Sequence, residues 1–209
     1  MISITRLFAV SAFALTILII PVAQSDSAVP TDLAKNFMQS LGDKTLSILG
    51  NKAIPLSERE LKVRKLLGEN LAVKSIGQFV VGNAWRAATP EQRTDYQQLF
   101  TRFITLTYAK RLGGYAGEQF TITGVKQIGT KKDILVTTKI NRPSGPPLIA
   151  GWRIRPYNGA FKILDVMVEG ISMVVAQRSE FTGIIKKVGM QGLIETLRAK
   201  VSSFGVRAP

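Results

Sequence analysis

The stretch Asp165-Val166-Met167-Val168-Glu169-Gly170-Ile171-Ser172-Met173-Val174-Val175-Ala176-Gln177-Arg178-Ser179-Glu180-Phe181 decides the fold, because within it a strand-like pattern gives way to a helix-like one. Before the joint, Phe161, Ile163 and Met167 alternate with Lys162, Leu164, Val166 and Val168. Both sets are largely apolar, as in a strand covered on both faces. After it, Val174, Phe181, Ile184, Ile185 and Val188 recur at helical spacing, with Gln177, Arg178, Glu180, Lys186 and Lys187 between them. Gly170 marks the break, where the lack of a Cβ lets the backbone turn sharply and lets a neighbour approach.

Upstream of the joint the hydrophobic period is two from Phe120 onward, so residues 120–128, 134–140, 147–155 and 161–168 read as four strands. Turns are expected at 129–132, 141–146 and 157–159. Asn158-Gly159 is the two-residue hairpin signal, which makes the last two strands antiparallel neighbours. In the third strand Leu148, Ala150, Trp152 and Ile154 share one face, and Ile149, Gly151, Arg153 and Arg155 share the other, partly wet one. Further upstream, Leu33, Phe37, Met38, Leu41 and Leu46 predict a helix from Thr31 to about Leu49, weakened at Gly42. Ser57 and Glu60 form a capping-box pattern for a basic amphipathic helix to about Leu67. Residues 73–87 predict a third helix with Ile76, Phe79, Val80 and Ala84 on one side. Thr89, Pro90 and Gln92 give the clearest helix start in the chain. That helix runs to about Leu112 behind a stripe of Tyr96, Leu99, Phe100, Phe103, Ile104, Thr107 and Tyr108, and Gly113-Gly114 stops it. Beyond the joint, 172–188 and 191–203 read as helices. Helices, then strands, then helices indicate an α+β domain: a curved antiparallel sheet with helices over one face.

At the N-terminus Arg6 precedes an uncharged run from Leu7 to Ile20, then Pro21 and the small-residue pattern Ala23-Gln24-Ser25. Residues 1–25 therefore read as a secretory signal peptide cleaved after Ser25, and 26–209 as a single domain. The competing reading is an uncleaved anchor, because the apolar run lies near the lower length limit for a spanning helix. The formal net charge is +14, and Arg6 is the only charge ahead of the proposed cleavage site. For an exported chain such an excess points to anionic head groups, lipopolysaccharide or acidic proteins rather than nucleic acid.

Cysteine and histidine are both absent, which removes thiol nucleophiles, serine-histidine triads, the usual zinc sites and disulfides. Ser172 follows a strand and a glycine, yet it lacks the second glycine of a nucleophile elbow and any histidine base, so it reads as a helix cap. Asp165 and Glu169 could share a strand face as paired carboxylates. In so basic a chain they are expected instead to meet Arg153 or Arg155 on a neighbouring strand. Asp43, Glu118 and Asp133 lack calcium-loop spacing, and the glycine-rich pieces fit no nucleotide fingerprint, so no metal and no cofactor are expected. Apolar volume with positive surface suits a binding protein better than a catalyst.

Gly170-Ile171-Ser172-Met173-Val174, then Gln177-Arg178-Ser179-Glu180-Phe181 and Gly189-Met190-Gln191-Gly192-Leu193, form one set of motifs. The run from Gly82-Asn83-Ala84-Trp85-Arg86 through Thr89-Pro90-Glu91-Gln92-Arg93 is a second, followed by Phe100, Tyr108 and Tyr115-Ala116-Gly117-Glu118. In their order and spacing the chain resembles the toluene-tolerance family of periplasmic lipid carriers, which includes the soluble phospholipid shuttle of the maintenance of lipid asymmetry pathway. A hopanoid-associated branch shares the pieces at 114–118 and 178–181. The resemblance implies a highly twisted four-stranded sheet whose helices enclose a deep apolar pocket. It further implies a non-enzymatic carrier, monomeric and periplasmic, that passes phospholipid between membrane-bound complexes: an outer-membrane lipoprotein complex and an inner-membrane ABC-transporter complex. Withdrawing a lipid with two chains of roughly fifteen methylenes each from a bilayer forfeits on the order of 20 kcal/mol of apolar burial, which only a deep cavity can replace. Phe79, Phe103, Tyr108, Trp152, Ile154, Val166, Val168, Ile171, Val174 and Ile185 are the candidates for the wall, chosen for apolar character at inward phase, with the head group at the mouth near Arg or Lys. A carrier of hopanoid or another polycyclic lipid, and an envelope interaction protein with no cavity, are the alternatives. A lipid hydrolase is disfavoured by the missing histidine.

Overall fold

The computed structural model describes residues 31–115, 117–129 and 132–205. The expected signal peptide, its cleavage site and residues 130–131 of the first strand turn lie outside them. The helices α1 (Thr31–Gly50), α2 (Leu56–Asn70), α3 (Val73–Val81), α4 (Asn83–Ala87) and α5 (Pro90–Gly113) come first. The strands β1 (Gln119–Ile128), β2 (Asp133–Asn141), β3 (Leu148–Tyr157), β4 (Ala160–Val168) and β5 (Ile171–Ser172) follow, and then α6 (Met173–Ser203). The strands pair antiparallel in chain order, β1-β2-β3-β4-β5.

The class is the α+β expected, but the sheet has five strands, not four. The extra one arises at the joint. Glu169 and Gly170 both take positive φ, 49° and 80°, so β4 folds back through a two-residue turn and Ile171–Ser172 pair with Val168 and Met167. Asn158 and Gly159 turn the chain in the same way between β3 and β4, at φ 46° and 77°. A bulge at Leu164 changes which residues of β4 face inward: Ile163 stands opposite Ile154, yet Val166 stands opposite Trp152. The odd-numbered set before the bulge and the even-numbered set after it thus share one face.

Local chemistry explains the helix boundaries. At Thr89 the hydroxyl accepts from Gln92 N and Gln92 Oε1 accepts from Thr89 N, both at 3.2 Å, closing the predicted box ahead of Pro90. The Ser57–Glu60 box does not form, because α2 starts two residues earlier, with Pro55 as N-cap and the amides of Glu58 and Arg59 bonded to its carbonyl. The expected single helix over 73–87 breaks into α3 and α4 at Gly82, whose φ of 53° and ψ of −123° suit glycine. The two C-terminal helices join as α6 across a kink at Gly189, φ 70°.

Two main cores result. In the helical core, Tyr96, Phe100, Phe103 and Ile104 of α5 pack with Val73, Ile76, Val80 and Val81 of α3 and with Phe181, Leu193, Ile194, Leu197 and Val201 of α6. Tyr96 and Phe100 stack at 5.6 Å between centroids, and Phe181 meets Phe100 edge-on at 6.1 Å. The Tyr96 hydroxyl donates to Gly77 O at 2.8 Å, satisfying the polar end of a fully buried ring. In the sheet core, Ala34 and Met38 of α1 cover Ile134 and Val136 of β2, Ile154 of β3 and Ile163 of β4. Leu71 packs against both cores, and beside it Ala72 N donates to Ile163 O at 2.8 Å, tying the α2–α3 junction to β4.

Candidate functional site

The inner face of the sheet grades from closed core to open space. Ile134, Ile154 and Ile163 stand in register and are all fully or almost fully buried, as is Val136 in the next rank beside Trp152 and Val166. One rank on, Thr138 stands between Ile122 and Ala150. Its buried hydroxyl donates to Ala150 O at 3.2 Å and accepts from Trp152 Nε1 at 2.9 Å, which satisfies the indole and fixes the ring. The last rank, Phe120, Ile140 and Leu148, faces a cavity instead of packed side chains.

That cavity has a volume of about 320 Å³, within the range of pockets that hold organic ligands. Trp152, Ile163 and Met38, which belong to the sheet core, also line it. One wall is α1, whose Met38, Leu41, Gly42, Thr45, Leu46 and Leu49 follow one another at helical spacing. Another is α2, through Val63, Leu66, Leu67 and Asn70, with Leu71 just beyond it. The polar groups on these walls are turned to backbone: Thr45 Oγ1 donates to Leu41 O at 2.7 Å and Asn70 Nδ2 to Leu66 O at 2.8 Å. The two walls are held together by Arg59, whose guanidinium donates to Leu49 O at the C-terminal turn of α1, at 2.6 Å.

The remaining lining residues gather where α5 ends and β1 begins, and they include Arg111, Leu112, Gly114, Tyr115, Glu118 and Gln119, with Arg142 just past the far end of β2. Arg111, Leu112, Gly114 and Gln119 are exposed, so the cavity opens there. Both arginines are held in place. Arg111 lies over the Tyr108 ring at 5.6 Å, and Arg142 Nε and Nη2 both donate to Pro146 O, at 2.8 and 2.5 Å. Burial pushes the Tyr108 phenol above its ordinary range, a shift that Arg111 opposes and Asp165 assists. The result is a hydrocarbon-lined chamber whose charged groups stand at one end. Such a chamber can sequester an apolar chain and meet an anionic group at the opening. Among the described residues no cluster of acidic side chains is arranged to hold a metal ion.

Of the residues expected at the wall, the cavity is lined by Trp152. Ile154 lies in the sheet core with Val166 packed against it, because both share the inward face but sit nearer the closed end. Phe103 lies within the helical core, and Tyr108, Val174 and Ile185 pack against that core instead of lining the cavity. Val168 is half-buried between Ala150 and Ile171 in the sheet. Ile171 and Phe79 are at the surface, 62% and 44% exposed. The turn at Glu169–Gly170 carries Ile171 out to the sheet edge, and Phe79 is covered by the Arg178 guanidinium at 4.6 Å.

The expected pairing of Asp165 and Glu169 with Arg153 or Arg155 also does not form. Asp165 accepts from Ser172 Oγ at 2.6 Å and Val174 N at 3.2 Å, and Glu169 Oε1 accepts from Ile149 N at 2.8 Å. Arg155 pairs instead with Asp133, at 2.5 and 3.0 Å, which raises its own pKa. Ser172 caps α6 as expected, its hydroxyl accepting from Val175 N at 3.0 Å. The α1 and α2 walls are absent from the expected set. The stripe through Met38, Leu41 and Leu46 is visible as helical periodicity, and Tyr115 and Glu118 as a motif, but nothing in the pattern marks them as one chamber.

The model of the MlaC protein family matches residues 39–199 of this chain. The chain is 22% identical to the intermembrane phospholipid transport system binding protein MlaC of Haemophilus influenzae, over 209 residues that cover 97% of this chain and 96% of that one. Its fold is similar to that of a phospholipid-binding protein from Ralstonia solanacearum solved in complex with a phospholipid. The TM-score is 0.70 at 22% identity, covering 83% of this chain and 99% of the other.

Proposed function

This chain belongs to the MlaC protein family, and we propose on that footing that it is a periplasmic phospholipid carrier, with acyl chains in the cavity between α1, α2 and the sheet. The observation that carries the reading is the separation within that cavity: hydrocarbon along its length, Arg111, Glu118 and Arg142 at its opening. Each methylene moved from a bilayer into such a wall keeps about 0.8 kcal/mol of apolar burial that water would take away, so the lipid travels without an aqueous penalty on its tails. The phosphate stays at the mouth, where guanidinium groups match it. The carrier is non-catalytic and monomeric. It exchanges lipid with an outer-membrane lipoprotein complex on one side and an inner-membrane ABC-transporter complex on the other, after removal of residues 1–25. Among the described residues no helix is long and apolar enough to cross a membrane.

The test is native mass spectrometry of protein purified from its own cell envelope, followed by lipid extraction. Phospholipid bound at unit stoichiometry is the expected result. A polycyclic lipid would replace the ligand in this reading, and a protein with no lipid at all would refute it.

A further inference from the structure

Gly42 lies inside α1, where glycine weakens a helix relative to alanine, and its φ is not in the left-handed region that would require glycine. Its neighbour supplies the reason. A Cβ at this position would come within 2.8 and 2.9 Å of Cε1 and Cδ1 of Phe120 and 3.2 Å of Cζ, so the ring is seated directly on the helix backbone. Both residues line the cavity. Phe120 also stands in register with Ile140 and then Leu148, which line it from the sheet side. The ring therefore lies between the α1 wall and the sheet wall, seated in the slot left by the missing side chain at 42.

We propose that Gly42 and Phe120 together set the acyl-chain capacity of the cavity, and hence the chain lengths the protein accepts. The inference rests on the lipid-carrier reading and goes beyond it by assigning the residues that determine specificity. With the ring on the helix, the space over Ile140 and Leu148 belongs to the ligand. Any side chain at 42 drives the ring off its seat, toward the open volume beside it, since close-packed neighbours yield less readily than empty space. Gly68 in α2 is the matched control, a helical glycine whose added Cβ meets nothing within 4 Å.

The experiment uses the full chain, stripped of bound lipid and titrated with saturated phosphatidylglycerols from dilauroyl to distearoyl, with occupancy read by native mass spectrometry and folding by thermal melts. Gly42→Ala moves the longest accepted chain downward, with affinity falling roughly fourfold for each methylene excluded. Phe120→Ala moves it upward. The double variant follows Phe120→Ala, because the added Cβ then has no ring to displace. Gly68→Ala keeps the wild-type profile. A folded Gly42→Ala protein with the wild-type length profile, or a double variant as restricted as Gly42→Ala alone, overturns the proposal. If Gly42→Ala does not fold, Phe120→Ala decides, and an unchanged profile there overturns it. A wild-type protein that binds no chain length at all refutes the carrier reading itself, and this inference with it.

Discussion

Replacing Thr138 by Val tests whether the cavity is organised by one buried hydroxyl. Thr138 is fully buried and its Oγ1 is the acceptor for Trp152 Nε1, while its own proton goes to Ala150 O. Valine keeps nearly the same outline but strands the indole N–H, which costs about 1–3 kcal/mol for an unsatisfied buried donor. The lost bond to Ala150 O adds a smaller amount and the extra methyl returns some, so the net loss is on the order of 2 kcal/mol. For a domain of this size that corresponds to a fall in Tm of roughly 4–8 °C. Urea denaturation read by far-UV circular dichroism gives the free energy, provided the slope with urea is unchanged. The decisive comparison is Trp152→Phe, which removes the donor: in that background Thr138→Val loses its penalty for the indole, and the coupling equals that penalty, about 1–3 kcal/mol. Equal costs of Thr138→Val in the two backgrounds, or no cost in either, would show that the Thr138–Trp152 bond does not hold the ring.

A carboxylate at Leu46, which lines the cavity outside the packed cores, abolishes lipid retention in Leu46→Glu, yet a cooperative melt remains because an emptied cavity admits water; Ile171→Glu, at a position 62% exposed, keeps both its lipid and its melting temperature. Native mass spectrometry and melts of the two purified variants check the contrast, and loss of lipid in Ile171→Glu would refute the placement of the cavity. Burial holds the Tyr96 phenol protonated far above its ordinary range, so the folded state binds this proton more tightly than the unfolded one. Its stabilising share is whole below about pH 10 and declines as pH rises beyond that, so wild type loses stability through this range faster than Tyr96→Phe, measured as the difference between their melts at each pH. With a net charge of +14, association with anionic vesicles slows as salt rises, because exposed charges are screened over about 10 Å at 0.1 M; stopped-flow rates independent of salt would contradict this.

Features written in adjacent residues were legible in the sequence. Thr89, Pro90 and Gln92 cap a helix through bonds three residues apart, and Asn158-Gly159 supplies the positive φ angles of its own turn. The joint at Gly170 was legible as a change of period, but Glu169 adopting positive φ beside it was not, and that hid β5. The cavity was least legible, for a physical reason. Inward phase says that a side chain leaves water, not whether protein or empty space receives it. Leu46 and Leu49 lie on the same helix and line the same chamber, yet Leu49 is also packed against Val63 and Ala109 in a small core of its own. Ile154 and Leu148 likewise share one face of β3 and differ in whether α1 covers them. That difference depends on where α1 and α2 end relative to the sheet, and no local pattern encodes it.

The last helix has a consequence for the order in which the molecule can form. All five strands are complete once Ser172 has been made, but the helical core is not: Tyr96, Phe100 and Phe103 find their cover in Phe181, Leu193, Ile194, Leu197 and Val201, on both sides of the Gly189 kink. A chain made only as far as Ser172 therefore leaves Tyr96, Phe100 and Phe103 without the cover that α6 supplies. Closing that core over so long a sequence separation is a slow step, and until it is taken the apolar faces of α3 and α5 lack their partner.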